Sequence, residues 1–404
     1  MRIAVTANGP GEVAGWLRPL LRSLYERAPA TQAYVFLVPD DYATGFEART
    51  VRAFFPQAQA YDPKAYLKFA LGRRVEGMPE TVDVVQYAGG DLLHAARLHA
   101  RLKGKAATYK FSRKGYRKLF DRAFAVDRKN VEQLEGWGTP PDRIQRIGNL
   151  AIDGALLEAQ APLEPGTPED GILVMPGSRS YEVENLIPFY FTAALRIRHE
   201  RPDLPVAFGI SPFTPLEQVR AAIERGGDPR VFAQTGRLVV ENGGTYVESL
   251  DGSARFPILF NALAAAKRSR LVLTIPGTKT IELAALGTPA ITITPLNAPE
   301  LITFNGPLTY LHRIPLIGVP LKRAVAVGVS RRFEFHTQPN MDAGAMLVCE
   351  VHGTVTPGRL ARVALERYDD TAWIAATGRR LAELYRDHIG AADRMAESLL
   401  ALAG

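Results

Sequence analysis

Short runs of consecutive apolar residues recur along the chain. Each ends in a turn, often glycine-bearing, and apolar positions at helical spacing follow. Residues 2–7 form such a run, with Gly9, Gly11 and Gly15 after it and then Leu17, Leu20, Leu21 and Leu24. Residues 34–38, 82–87, 106–110 and 123–126 continue the series. So do 172–175, 205–210, 270–275 and 290–294. Unbroken apolar runs mark strands covered on both faces, as in a parallel sheet between helix layers. Residues 238–241 and 246–249 flank Asn242-Gly243-Gly244, which predicts a hairpin. Residues 256–265 are expected to be helical, and residues 296–320 irregular. From Thr371 onward, Leu381, Leu384, Tyr385, Ile389, Met395, Leu399 and Leu400 predict packed terminal helices. Pro162, Pro165, Gly166 and Pro168 crowd residues 159–169, which read as a linker. At 404 residues the chain is too long for one ordinary core, so the pattern predicts an α/β protein of two domains.

Two of these strand ends carry chemistry. The apolar run 172–175 breaks at Pro176-Gly177-Ser178-Arg179 and resumes at 183, 186, 187, 190, 194 and 197. A tight loop feeding a helix presents backbone N–H groups to an anion, and Arg179 adds a guanidinium fork that fits phosphate. An ordinary turn with a solvent-facing arginine fits the same residues. The run 270–275 repeats the grammar with Pro276-Gly277-Thr278, and Glu282 follows in the first turns of the next helix. Two such ends in one half of the chain point to a nucleotide crevice at the carboxyl edge of a parallel sheet. Glu282 is placed to accept ribose hydroxyls; its alternative is to complement the helix dipole.

The stretch Leu173-Val174-Met175-Pro176-Gly177-Ser178-Arg179-x-x-Glu182-Val183-Glu184 and the later Gly277-Thr278-x-Thr280-x-Glu282 resemble the lipid-A-disaccharide synthase family. Gly11-Glu12-x-x-Gly15 is similar to that family's first loop, and Ile147-Gly148-Asn149 through Asp153 to its inter-domain segment. The resemblance implies two Rossmann-like domains facing a cleft, the GT-B architecture. Residues 1–160 would bind acceptor, 161–370 would bind nucleotide sugar, and the helices of 371–404 would pack back on the first domain. It implies an inverting glycosyltransferase that moves a hexosamine-type sugar from a UDP-sugar donor to a lipid-linked, glycolipid acceptor. Gly177, Ser178, Arg179, Gly277, Thr278, Glu282 and Asn340 would face the donor, and Asp91 or Glu12 would act as base. Gly11, Tyr66, Phe69, Arg113 and Lys114 would meet the acceptor or the membrane. Trp16 and Ala88 stand where the family carries aspartates. Two alternatives stay open: a UDP-sugar 2-epimerase of the same architecture, and an inert nucleotide-sugar-binding homologue.

Composition changes this picture little. Lys and Arg number 49 against 42 Asp and Glu, so the net charge of +7 suits an anionic surface without requiring one. Residues 61–74 mix Tyr66, Leu67, Phe69 and Leu71 with Lys64, Lys68, Arg73 and Arg74, which suits either an interfacial segment or a core helix with snorkelling cations. Lys110, Arg113, Lys114, Arg117 and Lys118 surround two aromatics and would favour an anionic acceptor; no nucleic-acid signature accompanies them, so no nucleic-acid partner is expected. Asp91 could equally cap a helix, and Asn340 could be a turn residue. A single cysteine, Cys349, excludes a disulfide framework. No His-x-His or His-x-x-x-His pair occurs, so no metal is expected, and no cofactor is expected because the UDP-sugar would be a substrate. No signal sequence or spanning run is read, so the expected place is the cytoplasm, peripheral at the inner face of the cytoplasmic membrane.

Overall fold

The computed structural model describes residues 1–39, 45–110, 115–116, 118–212, 214–297, 320, 325, 328 and 332–404. Arg113, Lys114 and most of 296–320 lie outside the described residues. The chain divides into two compact units, Met1–Leu157 with Asp387–Gly404, and Glu158–Arg386.

The first unit is built on strands β1 (Arg2–Ala7), β2 (Gln32–Leu37), β3 (Gln59–Tyr61), β4 (Val84–Tyr87), β5 (Lys105–Tyr109), β6 (Arg122–Ala125) and β7 (Ile144–Arg146). They pair in the order β3-β2-β1-β4-β5-β6-β7, all parallel. From Ile3 onward β1 is buried at every position, as its unbroken apolar run requires. On one face Leu17, Leu20, Leu21 and Leu24 pack with Met395 and Leu399 of the terminal helix Ala391–Ala403. Asp153 fixes that helix: its two oxygens accept from the backbone N–H groups of Gly390 (2.8 Å) and Ala392 (2.7 Å). On the other face lie Phe36, Tyr66, Phe69 and Leu98.

That second cluster corrects one expectation. Tyr66 and Phe69 sit on the helix Pro63–Ala70 but point inward, 0% and 4% exposed. Phe69 stacks on Phe36 at 5.7 Å between centroids, and the Tyr66 hydroxyl lies 2.7 Å from His94 Nδ1. The aromatic side chains that would have entered a membrane are core, because the sheet needs an apolar cover there. Among the described residues, no helix is long and apolar enough to cross a membrane.

The second unit holds β8 (Ile172–Val174), β9 (Val206–Gly209), β10 (Gly236–Glu241), β11 (Gly244–Ser249), β12 (Arg255–Leu259), β13 (Leu271–Thr274), β14 (Ala290–Pro295) and β15 (Cys349–Gly353). Their order is β10-β11-β12-β9-β8-β13-β14-β15. The run from β12 to β15 is parallel, and β10 and β11 add an antiparallel hairpin whose turn uses positive φ at Asn242 and Gly243. Residues 256–265 differ from expectation. Phe256, Ile258 and Leu259 are buried strand positions, and the helix begins only at Ala262. The apolar run 256–259 fits either period, and pairing to β11 and β9 decides for strand.

Candidate functional site

In both units the strand order reverses at one place, where the loops leave two adjacent strands toward opposite sides. In an open α/β sheet this is where ligands bind. In the second unit it lies between β8 and β13, whose carboxyl ends carry the Gly177 and Gly277 loops. The two ends are tied together. Thr274 Oγ1 donates to the Met175 carbonyl at 2.8 Å, and the Tyr190 hydroxyl donates to the Thr274 carbonyl at 2.5 Å.

Gly177 has φ +102°, and a Cβ there would overlap the Glu182 carboxylate and stand 3.0 Å from Ile275 Cδ1. Only glycine fits. Glu182, three residues past the first residue of the cap, accepts from the N–H groups of Ser178 (2.8 Å) and Arg179 (2.9 Å). Burial pushes its carboxyl upward, and these two donors with the Arg179 guanidinium pull it back. The N–H groups expected to cradle a phosphate are therefore engaged by an internal carboxylate. Arg179 keeps its guanidinium at the surface, 3.9 Å from Glu182 Oε1.

Gly277 and Thr278 are exposed, and a Cβ on Gly277 would meet nothing within 4 Å. The helix Thr278–Ala285 starts here, and Glu282 lies one turn in, 8% exposed, with Lys279 Nζ at 2.7 Å. This is the open side of the pair of loops. Asn340 differs from its expected role. It is fully buried, and its amide is consumed by its own surroundings: Nδ2 donates to the Val348 carbonyl and Glu350 Oε1, and Oδ1 accepts from the N–H groups of Leu347 and Val348. It is a scaffold residue.

The first unit's reversal lies between β1 and β4. Gly11 and Glu12 follow β1, and Gly89, Gly90 and Asp91 follow β4. The loops touch, since a Cβ on Gly89 would overlap Asn8 Oδ1 and come within 3.3 Å of Glu12 Cγ. Gly11 is exposed. Asp91 Oδ1 accepts from the Leu93 N–H at 2.9 Å, so the carboxylate caps the helix Leu92–Leu102. The structure thus brings Glu12 and Asp91 to one sheet edge and Gly177, Arg179, Gly277, Thr278 and Glu282 to another. Sequence reading missed Glu182 and Lys279. The spacing of Glu182 from the loop was the available signal for the first.

No protein-family model matches the sequence, and no curated protein does either. Solved structures do match over nearly the whole chain. One is Staphylococcus aureus MnaA in a co-structure with UDP, at TM-score 0.59 and 15% identity, covering 99% of this chain and 97% of that one. Another is UDP-GlcNAc 2-epimerase from Neisseria meningitidis bound to UDP-GlcNAc, at TM-score 0.57 and 12% identity, covering 99% and 100%. A third is the glycotransferase of kitacinnamycin, at TM-score 0.53 and 16% identity, covering 99% and 98%. The fold is GT-B. The lipid-A-disaccharide synthase assignment is corrected by the matches, among which are several UDP-GlcNAc 2-epimerases. With it go the lipid-linked acceptor and lipid A biosynthesis. Three of the four motifs that carried the assignment are strand-to-helix turns at the two reversal points, and the fourth, Ile147 through Asp153, follows the edge strand β7.

Proposed function

We propose that this chain is an enzyme acting on a UDP-sugar, and that it inverts the sugar at C2 as a UDP-sugar 2-epimerase. The observation that carries the reading is Glu282. It is a buried carboxylate one turn past an open Gly277-Thr278 start, at the reversal point of the second sheet. A carboxylate so placed accepts the two ribose hydroxyls while the helix start meets the diphosphate. The exposed Arg179 guanidinium adds charge for the phosphates. Full-length likeness in fold to several UDP-GlcNAc 2-epimerases supports the choice of reaction, and Tyr66 and Phe69, the aromatics expected to meet lipid, are buried in the core.

C2 has no carbonyl beside it, so loss of its proton requires the C1–O bond to UDP to break, leaving a C1=C2 double bond. UDP then re-adds at C1 as a proton returns to the opposite face of C2, and the two proton transfers need a base and an acid. Glu12 and Asp91 are the carboxylates at the first unit's reversal point, and we assign proton transfer to them. Incubation with UDP-GlcNAc in D2O, without lipid, tests this. Proton NMR is expected to show the 2-epimer accumulating with deuterium at C2. Unchanged sugar after long incubation at saturating UDP-GlcNAc would overturn the reading. Glu12→Gln and Asp91→Asn should each lower kcat by about a hundredfold or more while leaving UDP affinity in place.

A further inference from the structure

On β15, Glu350 and His352 lie two residues apart and share one face of the strand. The segment before the helix Gln338–Ala343 brings His336 against them, 16 residues away in sequence from His352. The two imidazoles lie with centroids 4.2 Å apart and 39° between planes. His352 Nε2 is 3.1 Å and His336 Nδ1 3.4 Å from the same atom, Glu350 Oε2. The three ligand atoms all fall within 4.8 Å of one another.

The rest of Glu350 is built to hold that oxygen in place. Its other oxygen, Oε1, accepts from the Thr337 N–H (2.9 Å), the Thr337 hydroxyl (2.6 Å) and Asn340 Nδ2 (2.7 Å). The His336 N–H spans both oxygens, at 3.1 and 2.9 Å. Oε2 thus faces one backbone donor and two imidazole nitrogens, more groups than a carboxylate oxygen has lone pairs. A cation between the nitrogens and Oε2 resolves this crowding, because each imidazole then offers a lone pair instead of competing for one. Ligand atoms bound at about 2.0–2.1 Å in tetrahedral geometry stand about 3.3 Å apart, which two of the three edges already match. Hydrogen bonds to the non-ligating carboxylate oxygen are what orients such a ligand.

We propose that His336, Glu350 and His352 form a divalent transition-metal site, with zinc the ion that two imidazoles and a carboxylate suit best. The His352 side chain is 31% exposed, so solvent reaches the site and water completes the coordination. The sequence hid this site because His336 and His352 have no motif spacing. The proposal is independent of the nucleotide reading, and its test needs no nucleotide.

The experiment is titration of EDTA-dialysed full-length protein with Zn2+ against a chromophoric competitor, followed by Co2+ substitution. One equivalent per chain is expected, and the cobalt form should show the intense visible bands of low-coordinate, nitrogen-bound cobalt. His336→Gln and His352→Gln should each weaken binding by about tenfold or more, and the double variant should abolish it. His99→Gln, in the other unit, should bind as the wild type does. Absence of a stoichiometric site in the wild type would overturn the proposal. So would a weak all-oxygen cobalt spectrum, which needs no variant to fold. Binding that survives the double change would also overturn it.

Discussion

Asn340 spends both ends of its amide on the chain around it, whereas Glu282 has its buried carboxylate beside one lysine and near an open helix start. Each fate predicts a different phenotype. Asn340→Ala leaves the N–H groups of Leu347 and Val348 and the Val348 carbonyl without their partner. Chemical denaturation should therefore show a loss of about 1–3 kcal/mol, with UDP affinity unchanged at temperatures where the variant is folded. A drop in UDP affinity without a drop in stability would show Asn340 at the ligand instead. From sequence, a glutamate one turn into a helix after Pro-Gly-Thr was readable as a carboxylate beside a strand end. The fate of an asparagine after a proline was not, since its hydrogen-bond partners come from residues 347–350, which only the fold brings near. Glu182 was legible only in part. Its place three residues past Arg179 is capping-box spacing, but that pattern does not say that the carboxylate also takes the Ser178 N–H.

At the scale of elements, most strands announced themselves as largely apolar runs, and the Asn242-Gly243 turn announced its hairpin; the short strands β3 and β7 and the polar β15 did not, and β12 read as helix. The side a helix presents was less legible. The helix Pro63–Ala70 mixes cations and aromatics, and only the exposed apolar face of β1, β2 and β4 decides that Tyr66 and Phe69 turn inward. His94 shares that layer with Tyr66. Burial drives its pKa below the ordinary 6.5, with Asp91 opposing and Arg97 reinforcing. A histidine with a depressed folded value gives stability that is present above the unfolded pKa and lost as pH falls through the folded one. Melting temperature should therefore fall as pH drops below about 6.5, and His94→Gln should flatten part of that fall. A pH profile identical to wild type would refute the assignment to His94. Asp153→Ala removes the acceptor for the first N–H groups of the helix Ala391–Ala403. It should cost about 1–2 kcal/mol, and hydrogen exchange should rise first in that helix.

At the scale of the whole molecule, two sheets each reverse strand order between their first and fourth parallel strands, and each reversal collects loops that sequence had singled out. That recurrence is why short motifs led to the right architecture and the wrong family. Pro-Gly-Ser-Arg and Pro-Gly-Thr mark places where the chain turns tightly from strand to helix at the β8/β13 reversal, a demand of the architecture rather than of one reaction. The acceptor and the reaction are written in less regular stretches, where Trp16 and Ala88 already broke the expected pattern. The central claim that follows is a UDP site at the β8/β13 reversal, with Glu282 on the ribose. Isothermal titration of wild type and Glu282→Ala with UDP, ADP and GDP addresses it directly. UDP should bind in preference to the purine nucleotides, and Glu282→Ala should weaken UDP by about tenfold or more, near 1.4 kcal/mol, with the melting temperature little changed. Equal affinity of wild type and variant for UDP, or no binding of UDP by the wild type, would contradict it.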